Sequence, residues 1–205
     1  AALREAKRLG AKVLSIVNVV GSSIARESDE VLYTWAGPEI AVATTKAYST
    51  QMVVLDLVGL YFSQILGTLP RADYLAVLEE LQRLPEKMER VLGEKDQVQY
   101  LASQYFNHDS IFFIGRNLDY ALGMEGSLKL KEISYIHSEA YASGELKHGT
   151  ISLIEDGTLV VALGTYGKLF DKAISNVVEV KARGADVLAL ATESHREEMA
   201  KHANA

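Results

Sequence analysis

Three residues of this chain have types and spacing that could transfer protons. Glu125, Lys129 and Glu132 follow one another at i, i+4 and i+7, and on an α-helix this spacing places their side chains on one face. Two carboxylates and an amine on one face could move protons on a polar substrate. A solvated ion-pair face has the same spacing, because a Glu–Lys pair at i, i+4 stabilises an exposed helix by about 0.2–0.5 kcal/mol. Spacing alone favours the solvated face.

Two histidines lie near these residues in the sequence. His148 lies in the segment Gly144–Gly149, whose two glycines allow the backbone to approach a ligand closely. Because a histidine titrates near neutral pH, His148 is a candidate acid or base. His137 directly follows the apolar pair Tyr135-Ile136, a pattern that predicts a buried structural histidine.

Two earlier segments carry hydroxyl groups. Asn18–Ser23 ends in Gly-Ser-Ser, which could hold a phosphate through hydroxyl and amide groups, although such turns are common. Ile40–Ala47 has two threonines and a lysine at a predicted helix start, which suits a sugar or phosphate ligand as well as an ordinary helix cap. No Ser/His/Asp order, Walker loop or metal-ligand pair is evident, and Gly115-Arg116-Asn117 is too short for a dinucleotide fingerprint.

Composition limits the class of protein. The 205 residues, 48% of them hydrophobic and 23% charged, are sufficient for one or two ordinary globular domains. A net charge of −6 argues against nucleic acid or an anionic membrane as the main partner. The absence of cysteine excludes disulfides, thiolate metal ligands and a cysteine nucleophile. With no evident signal peptide or membrane-spanning run, we expect a soluble protein of the reducing cytoplasm.

The elements that must position these residues form a β-α-β pattern. Short apolar runs alternate with amphipathic segments, which predicts parallel strands joined by right-handed crossovers. The predicted strands are 12–20, 29–35, 110–116, 158–164 and 186–192, and the predicted helices are 1–10, 24–28, 38–67, 70–93 with a break at Pro85, 98–106, 122–136 and 168–183.

This order of elements predicts an α/β fold of two doubly wound, three-layer α/β/α domains. Residues 1–93 would hold the later part of the first domain and a charged helical connector, and residues 94–205 most of the second. The first helix has no capping residue at its start, and the chain closes on a polar stretch with no natural stop. We therefore expect both domains to be truncated.

Four stretches together resemble the isomerase half of the glucosamine-6-phosphate synthase (glutamine–fructose-6-phosphate aminotransferase) family, which consists of two sugar-isomerase (SIS) domains. They are Asn18–Asp29, Gly37–Ala47, Glu125–Glu139 and Ala140–Gly149, in the order and spacing of the family. The motifs LKLKEISYIH and GELKHG are the specific part of the match, and the resemblance covers essentially the whole chain. Spacing alone favoured a solvated ion-pair face for Glu125, Lys129 and Glu132, and the resemblance instead favours a functional face.

The resemblance implies a role for each candidate residue. Glu132 would move a proton between C1 and C2 of the sugar, turning a fructosimine into an aldehyde. Lys129 would assist proton transfers at the sugar hydroxyls, and Glu125 would belong to the same polar cluster. His148 would open the sugar ring and would reach the site from the neighbouring subunit, which implies a homodimer.

The resemblance also implies a substrate and partners. Val42, through its backbone, and Thr44 match positions that contact the sugar, with threonine where serine is expected. The reaction would convert fructose 6-phosphate and glutamine-derived ammonia to glucosamine 6-phosphate. A glutaminase domain on the same full-length polypeptide would supply the ammonia, and no metal or redox cofactor would be required.

The sequence departs from the family in ways that leave alternatives open. The family's Ser-Gln-Ser-Gly-Glu-Thr phosphate loop, its C-terminal Schiff-base lysine and its glutaminase domain are absent from these 205 residues, so we expect the chain to be inactive alone. A SIS-fold deglycase or deaminase would share the glutamate-bearing helix. A non-catalytic sugar-phosphate sensor would not need Glu125, Lys129 and Glu132 together with His148. A nucleotide-binding Rossmann domain would need the glycine fingerprint that is missing.

Overall fold

The computed structural model describes all residues, Ala1–Ala205, and the chain divides into two compact units. Unit 1 is Ala1–Gly93 and unit 2 is Glu94–Ala205. Every strand pair in both units is parallel, and helices separate successive strands through most of the chain. The predicted parallel α/β fold is confirmed.

Unit 1 contains a two-stranded sheet and five helices. The strands are β1 (Leu14–Val17) and β2 (Glu30–Tyr33), and the helices are α1 (Ala2–Arg8), α2 (Ser23–Glu27), α3 (Lys46–Leu66), α4 (Arg71–Gln82) and α5 (Leu84–Gly93). The predicted break near Pro85 occurs at Arg83, the residue that caps the C-terminus of α4. Pro85 then lies in the first turn of α5, where a backbone N–H has no acceptor within the helix.

Strand β1 is shorter and less buried than the sequence predicts. A strand buried on both faces was expected over residues 12–20, whereas β1 has four residues and none of them is fully buried. Val19 and Val20 lie beyond its end and are 65% and 61% exposed. A two-stranded sheet offers few neighbouring residues to either face, so the apolar run cannot be covered within this unit.

Helix α3 begins at Lys46, eight residues later than the predicted start at Pro38. The intervening residues form a loop in which Ile40 and Val42 are exposed. Glu39 folds back from this loop, and its Oε1 atom accepts a hydrogen bond of 2.9 Å from the Ala47 N–H in the first turn of the helix. The apolar residues of the loop extended the apparent helical periodicity beyond the true helix start.

Helix α3 also corrects the expectation that no apolar run could span a bilayer. By length and composition alone, Lys46–Leu66 could cross a membrane. Within unit 1 most of its side chains are exposed, among them Leu55, Tyr61, Phe62 and Ile65.

Unit 2 is built on a four-stranded parallel sheet with the strand order β4-β3-β5-β6. The strands are β3 (Ser110–Gly115), β4 (His137–Ala142), β5 (Leu159–Gly164) and β6 (Asp186–Ala191), and the helices are α6 (Lys95–Tyr105), α7 (Leu118–Ser134), α8 (Phe170–Lys181) and α9 (Arg196–Ala200). The chain runs from β3 through α7 to β4, and then crosses β3 to reach β5 on its other side. The strand order therefore changes direction between β3 and β5.

Helices cover both faces of this sheet. Gly126 of α7 lies against Phe113, so that a Cβ atom on this glycine would be 3.0 Å from the phenylalanine ring. Phe112 points to the opposite face because side chains alternate along a strand. There it belongs to the main core, which also contains residues of β3, β5, β6 and α8: Ile114, Val160, Ala162, Val177, Val180 and Val187. Unit 2 is thus a doubly wound, three-layer domain.

Strand β4 was not predicted from the sequence. This strand is at the edge of the sheet and pairs only with β3, in the register Ser110↔His137 to Gly115↔Ala142. Its sequence, His-Ser-Glu-Ala-Tyr-Ala, has the polar character that edge strands often have, so it lacks the apolar pattern of the other strands. The connection from β4 to β5 has no α-helix and instead contains two short 3₁₀ turns, Leu146–His148 and Thr150–Leu153.

Candidate functional site

Helix α7 presents the predicted acid–base residues on the face turned away from the sheet. Its inner face is fixed by the close contact of Gly126 with Phe113 and by a buried pair of hydroxyls, Ser127 Oγ and Ser138 Oγ, 2.7 Å apart. Ser138 also donates to the Ser127 carbonyl at 2.9 Å. Given the 100° turn per residue, these contacts direct the face that bears Glu125, Lys129 and Glu132 away from β3 and β4.

The structure brings Glu125, Lys129 and Glu132 into one cluster. Lys129 Nζ donates a hydrogen bond to Glu132 Oε2 and lies 3.5 Å from Glu125 Oε1. The three side chains are only 22%, 19% and 26% exposed in the order of the sequence. This burial within unit 2 is greater than a fully solvated ion-pair face would show.

The charges of the cluster favour an ionised lysine. The hydrogen bond from Lys129 to Glu132 raises the pKa of the ammonium group, and the charges of both carboxylates act in the same direction. Glu132 uses only Oε2 in this contact, and its Oε1 atom has no partner within the chain. Glu132 therefore has a free oxygen that could take up a proton, beside a cation that could stabilise negative charge on a substrate oxygen.

His148 lies apart from this cluster. It ends the first 3₁₀ turn after β4, its side chain is exposed, and its ring makes no hydrogen bond or ion pair. Leu146 and Ile151 attach this connection to the core that includes Phe112. The connection therefore packs on the face of the sheet opposite α7, and within one chain the structure does not bring His148 to Glu132.

The predicted burial of His137 is wrong. His137 is the first residue of the edge strand β4, and its side chain is 61% exposed because it lies at the rim of the sheet. Its Nδ1 atom is 3.1 Å from Ser110 Oγ, and its Nε2 atom is 3.6 Å from Glu139 Oε1.

Sequence reasoning missed a polar contact between Glu139 and Tyr141. The Tyr141 hydroxyl donates a hydrogen bond to Glu139 Oε2, which raises the pKa of the phenol to about 12. The two residues are i, i+2 neighbours, so only the prediction of β4 as a strand could have placed them on one face. By register they share the face of Phe112 and Ile114 and lie opposite α7.

In the loop before α3, Val42 and Thr44 have no hydrogen-bond partners within the chain. The Val42 side chain is 89% exposed, and the backbone N–H groups of both residues make no hydrogen bond within the chain. The Thr44 hydroxyl is also free. By contrast, Ser22 of the Gly-Ser-Ser turn accepts a 3.3 Å hydrogen bond from the Ala25 N–H and is an ordinary cap of the short helix α2.

The described residues contain no group of three His, Asp or Glu side chains that could hold a metal ion.

The sequence of the chain matches a known protein family. Residues 1–61 and 104–205 match the family model described as SIS domain. The chain belongs to the SIS domain family. The resemblance drawn from the sequence motifs is thereby confirmed at the level of the family, and the match includes α7, His148, Val42 and Thr44.

Individual SIS relatives are longer than this chain. It is 57% identical over 195 residues to a glutamine–fructose-6-phosphate aminotransferase (isomerizing) of Caldanaerobacter subterraneus and 56% identical over 196 residues to that of Clostridium acetobutylicum. These matches cover 95% and 96% of the chain and 32% of each relative. The chain therefore spans about a third of the length of these relatives.

A solved structure shares the fold. The C-terminal domain of a glucosamine-fructose-6-phosphate aminotransferase from Francisella tularensis superimposes with a TM-score of 0.93 at 37% sequence identity. The superposition covers 96% of this SIS chain and 56% of the Francisella chain.

Proposed function

We propose that this chain provides isomerase residues for a glutamine–fructose-6-phosphate aminotransferase, which converts fructose 6-phosphate and glutamine-derived ammonia to glucosamine 6-phosphate. The observation that carries the proposal is the cluster on α7, in which Lys129 lies between the carboxylates of Glu125 and Glu132 on a mostly buried face. The names of the relatives at 56–57% identity support the same reaction. A glutaminase domain on the same full-length polypeptide would supply the ammonia.

The proposal includes an assignment of the two units. Residues 1–93 would be the later part of one SIS domain together with a helical connector, and residues 94–205 most of a second. The two separate family matches support this division, because they leave residues 62–103 between them.

In the proposed reaction, Glu132 moves a proton between adjacent carbons. Glu132 Oε1 would remove a proton from C1 of the sugar imine and return it to C2, so that a C–H bond breaks at C1 and another forms at C2. The C1–H electron pair forms a C1=C2 double bond while the imine nitrogen takes up a proton, which gives an enolamine. When C2 then takes the proton from Glu132, the C1 hydroxyl loses its proton, so that C1 becomes the aldehyde and C2 the amine-bearing carbon. Lys129, kept protonated by its carboxylate partners, would stabilise the charge that develops on the sugar oxygen.

Val42 and Thr44 would hold the sugar. Their backbone N–H groups and the Thr44 hydroxyl have no partners within the chain, which suits groups that bind hydroxyls of a substrate. Glu125 would hold Lys129 in place through its contact of 3.5 Å.

We assign His148 to the ring-opening step, acting in the site of a second copy of the chain. The support is geometric. His148 follows β4 on the side of the sheet that bears the Phe112 core, whereas Glu132 lies on α7 at the other side. Because the two side chains of one unit 2 lie on opposite sides of the sheet, a homodimer in which His148 comes from the second copy would bring them to one sugar.

Two rival functions make different predictions. A SIS deglycase or deaminase would use the same α7 cluster but would not require a glutaminase domain. A sugar-phosphate sensor would bind its ligand and would not depend on the Glu132 carboxylate for turnover. The sensor is one outcome of the test below.

A hybrid enzyme can test the proposal. In this hybrid, the present chain replaces the matched segment of the Caldanaerobacter relative, which supplies the remaining two thirds of the polypeptide. We expect the hybrid to form glucosamine 6-phosphate from glutamine and fructose 6-phosphate, and the 205 residues alone to form none. A folded hybrid that binds fructose 6-phosphate without turnover would favour the sensor. Turnover by the isolated chain would contradict the expectation that the site is incomplete.

We also propose a cytoplasmic location. Helix α3 is long and apolar enough to cross a membrane, but most of it lies within the SIS match that ends at residue 61. Cell fractionation would test this, and recovery of the chain with the membranes would contradict it.

A further inference from the structure

We propose that unit 2 has a second small-molecule site, which binds the phosphate group of a phosphorylated metabolite through Arg116 and Ser143. This inference goes beyond the proposed function and uses none of its residues.

The two residues lie side by side at the carboxyl edge of the sheet. Arg116 directly follows β3 and Ser143 directly follows β4. The Ser143 N–H donates to the Gly115 carbonyl at 2.9 Å, so the pairing of the two strands continues for one more residue. In open parallel sheets, ligands bind at this edge, near the point where the strand order reverses. In unit 2 that point lies between β3 and β5.

The Arg116 side chain is held in place with its binding end free. Its Nε atom donates a 2.9 Å hydrogen bond to Asn176 Oδ1. Asn176 is 3% exposed and is itself held by a 3.0 Å hydrogen bond from its Nδ2 atom to Glu179. The terminal nitrogens Nη1 and Nη2 of Arg116 make no hydrogen bond or ion pair. Because the side chain is already ordered, little rotamer entropy would be lost when it binds an anion.

Gly144 makes room for this guanidinium group. A Cβ atom at residue 144 would lie 3.1 Å from Nη2 and 3.2 Å from Nη1 of Arg116. A larger residue here would press on the guanidinium group and move it from its present position. The loop after β4 thus fits closely around Arg116.

Ser143 supplies a second free donor. The residue is only 2% exposed, and its hydroxyl makes no hydrogen bond within the chain. No fully buried side-chain oxygen or nitrogen lacks a partner in this protein, so the Ser143 hydroxyl must still reach solvent. Buried hydroxyls normally have a hydrogen-bond partner. A nearly buried hydroxyl that opens only to solvent, beside an arginine whose terminal nitrogens have no partner, is therefore suited to a bound ligand.

The donors select the ligand chemistry. Two N–H groups of a guanidinium fork can bind two oxygens of one anion, and Arg is well matched to phosphate in this way. The Ser143 hydroxyl would donate to a third oxygen outside the guanidinium plane. Three donors that are not coplanar fit a tetrahedral phosphate better than a flat carboxylate.

Inorganic phosphate is the probe that tests this site. The 205-residue chain, labelled with ¹⁵N, would be titrated with phosphate at constant ionic strength, and the amide and arginine Nε–H signals would be followed by NMR. We expect saturable shifts centred on Arg116, Ser143 and Gly144. Arg116→Gln should weaken binding roughly tenfold and Ser143→Ala by a smaller factor, because the charged fork is the stronger contact.

A matched control separates this site from a general effect of charge. Lys131→Gln also removes one positive charge, but it does so in the last turn of α7, at the opposite edge of the sheet. It should leave the phosphate titration unchanged. If Arg116→Gln does not fold, Arg116→Lys keeps the charge, removes the fork, and should still weaken binding.

Two results would overturn the inference. One is the absence of saturable shifts at these residues, and the other is equal phosphate binding by the Arg116 variants and the Lys131 control. Neither result depends on turnover, so failure of the proposed function would leave this test intact.

Discussion

The Glu132 carboxylate has one oxygen held by Lys129 and one oxygen free, which suits a group that must accept a proton and then return it. Lys129 is the residue that makes this arrangement possible. Its raised pKa keeps it charged across the neutral range, so it holds Glu132 in position without competing for the proton.

Replacing Lys129 in the hybrid enzyme should affect turnover more than binding. Lys129→Met removes both the charge and the hydrogen bond to Glu132, and we expect kcat to fall by roughly 10²-fold with a much smaller change in KM. Steady-state kinetics with fructose 6-phosphate would measure this, and Lys129→Arg should recover part of the loss. A rise in KM at unchanged kcat would instead assign Lys129 to substrate binding.

Tyr141 should make the stability of unit 2 depend on pH in alkaline solution. Its folded pKa of about 12 is above the ordinary phenol value of 10.0, because the hydrogen bond to Glu139, burial and the Glu139 charge all favour the neutral phenol. The folded chain then binds more protons than the unfolded chain between these values, so stability should decline as the pH rises from about 10 to 12.

Urea unfolding at several pH values would measure this decline. Tyr141→Phe removes the titrating group and should flatten the profile over the same interval. An identical slope in the parent and the variant would show that the Tyr141 pKa is not raised by folding.

At the scale of the elements, the turn from β3 into α7 positions the whole cluster, and Gly115 is the residue that permits it. A Cβ atom at this position would lie 2.5 Å from the Asp119 carbonyl carbon and 2.7 Å from the Tyr120 nitrogen, both of them backbone atoms. Since backbone cannot move aside as a flexible side chain can, the start of α7 would have to shift.

Gly115→Ala should therefore destabilise unit 2 by about 1–3 kcal/mol, as overpacked sites do. Gly167→Ala is the matched control, because its Cβ would meet only the His195 ring at 3.5 Å, and its effect should be within about 0.5 kcal/mol. Denaturant unfolding monitored by circular dichroism would compare the two. Equal stabilities would contradict the close packing of this turn.

The elements also show what could be predicted from the sequence. Helix α7 and strands β3, β5 and β6 have clear periodicity or continuous apolar runs, and all were predicted. β4 was missed because an edge strand needs fewer apolar residues, and the error about His137 followed from missing that strand. The start of α3 was misplaced because Ile40 and Val42 are apolar yet exposed.

The candidate site was also predictable only in part. Helical periodicity alone places Glu125, Lys129 and Glu132 on one face, and the structure brings them together. The side of the sheet on which His148 lies depends on tertiary packing, through the attachment of Leu146 to the core. Local sequence patterns do not carry that information.

At the scale of the whole molecule, the exchange of His148 between two copies can be tested by mixing two inactive hybrids. One hybrid carries Glu132→Gln and the other His148→Ala. If each site takes Glu132 from one chain and His148 from its partner, half of the sites in a mixed dimer are intact. Purified mixed dimers should then have about half of the parental activity.

The two hybrids would be co-expressed, so that their subunits mix. Each would carry a different affinity tag, and purification on both tags would isolate the mixed dimers. Each single variant, purified as a homodimer, should remain inactive. No recovery in purified mixed dimers would place Glu132 and His148 of the same chain in one site and contradict the assignment of His148.

The most direct test of the account is the isomerisation of fructose 6-phosphate to glucose 6-phosphate by the hybrid enzyme and its Glu132→Gln variant. The substitution keeps the shape of the side chain and removes its ability to accept a proton. We predict that turnover falls by at least roughly 10²-fold while fructose 6-phosphate binds with nearly the parental affinity. Turnover by Glu132→Gln at the parental rate would contradict the central claim that this carboxylate moves the proton.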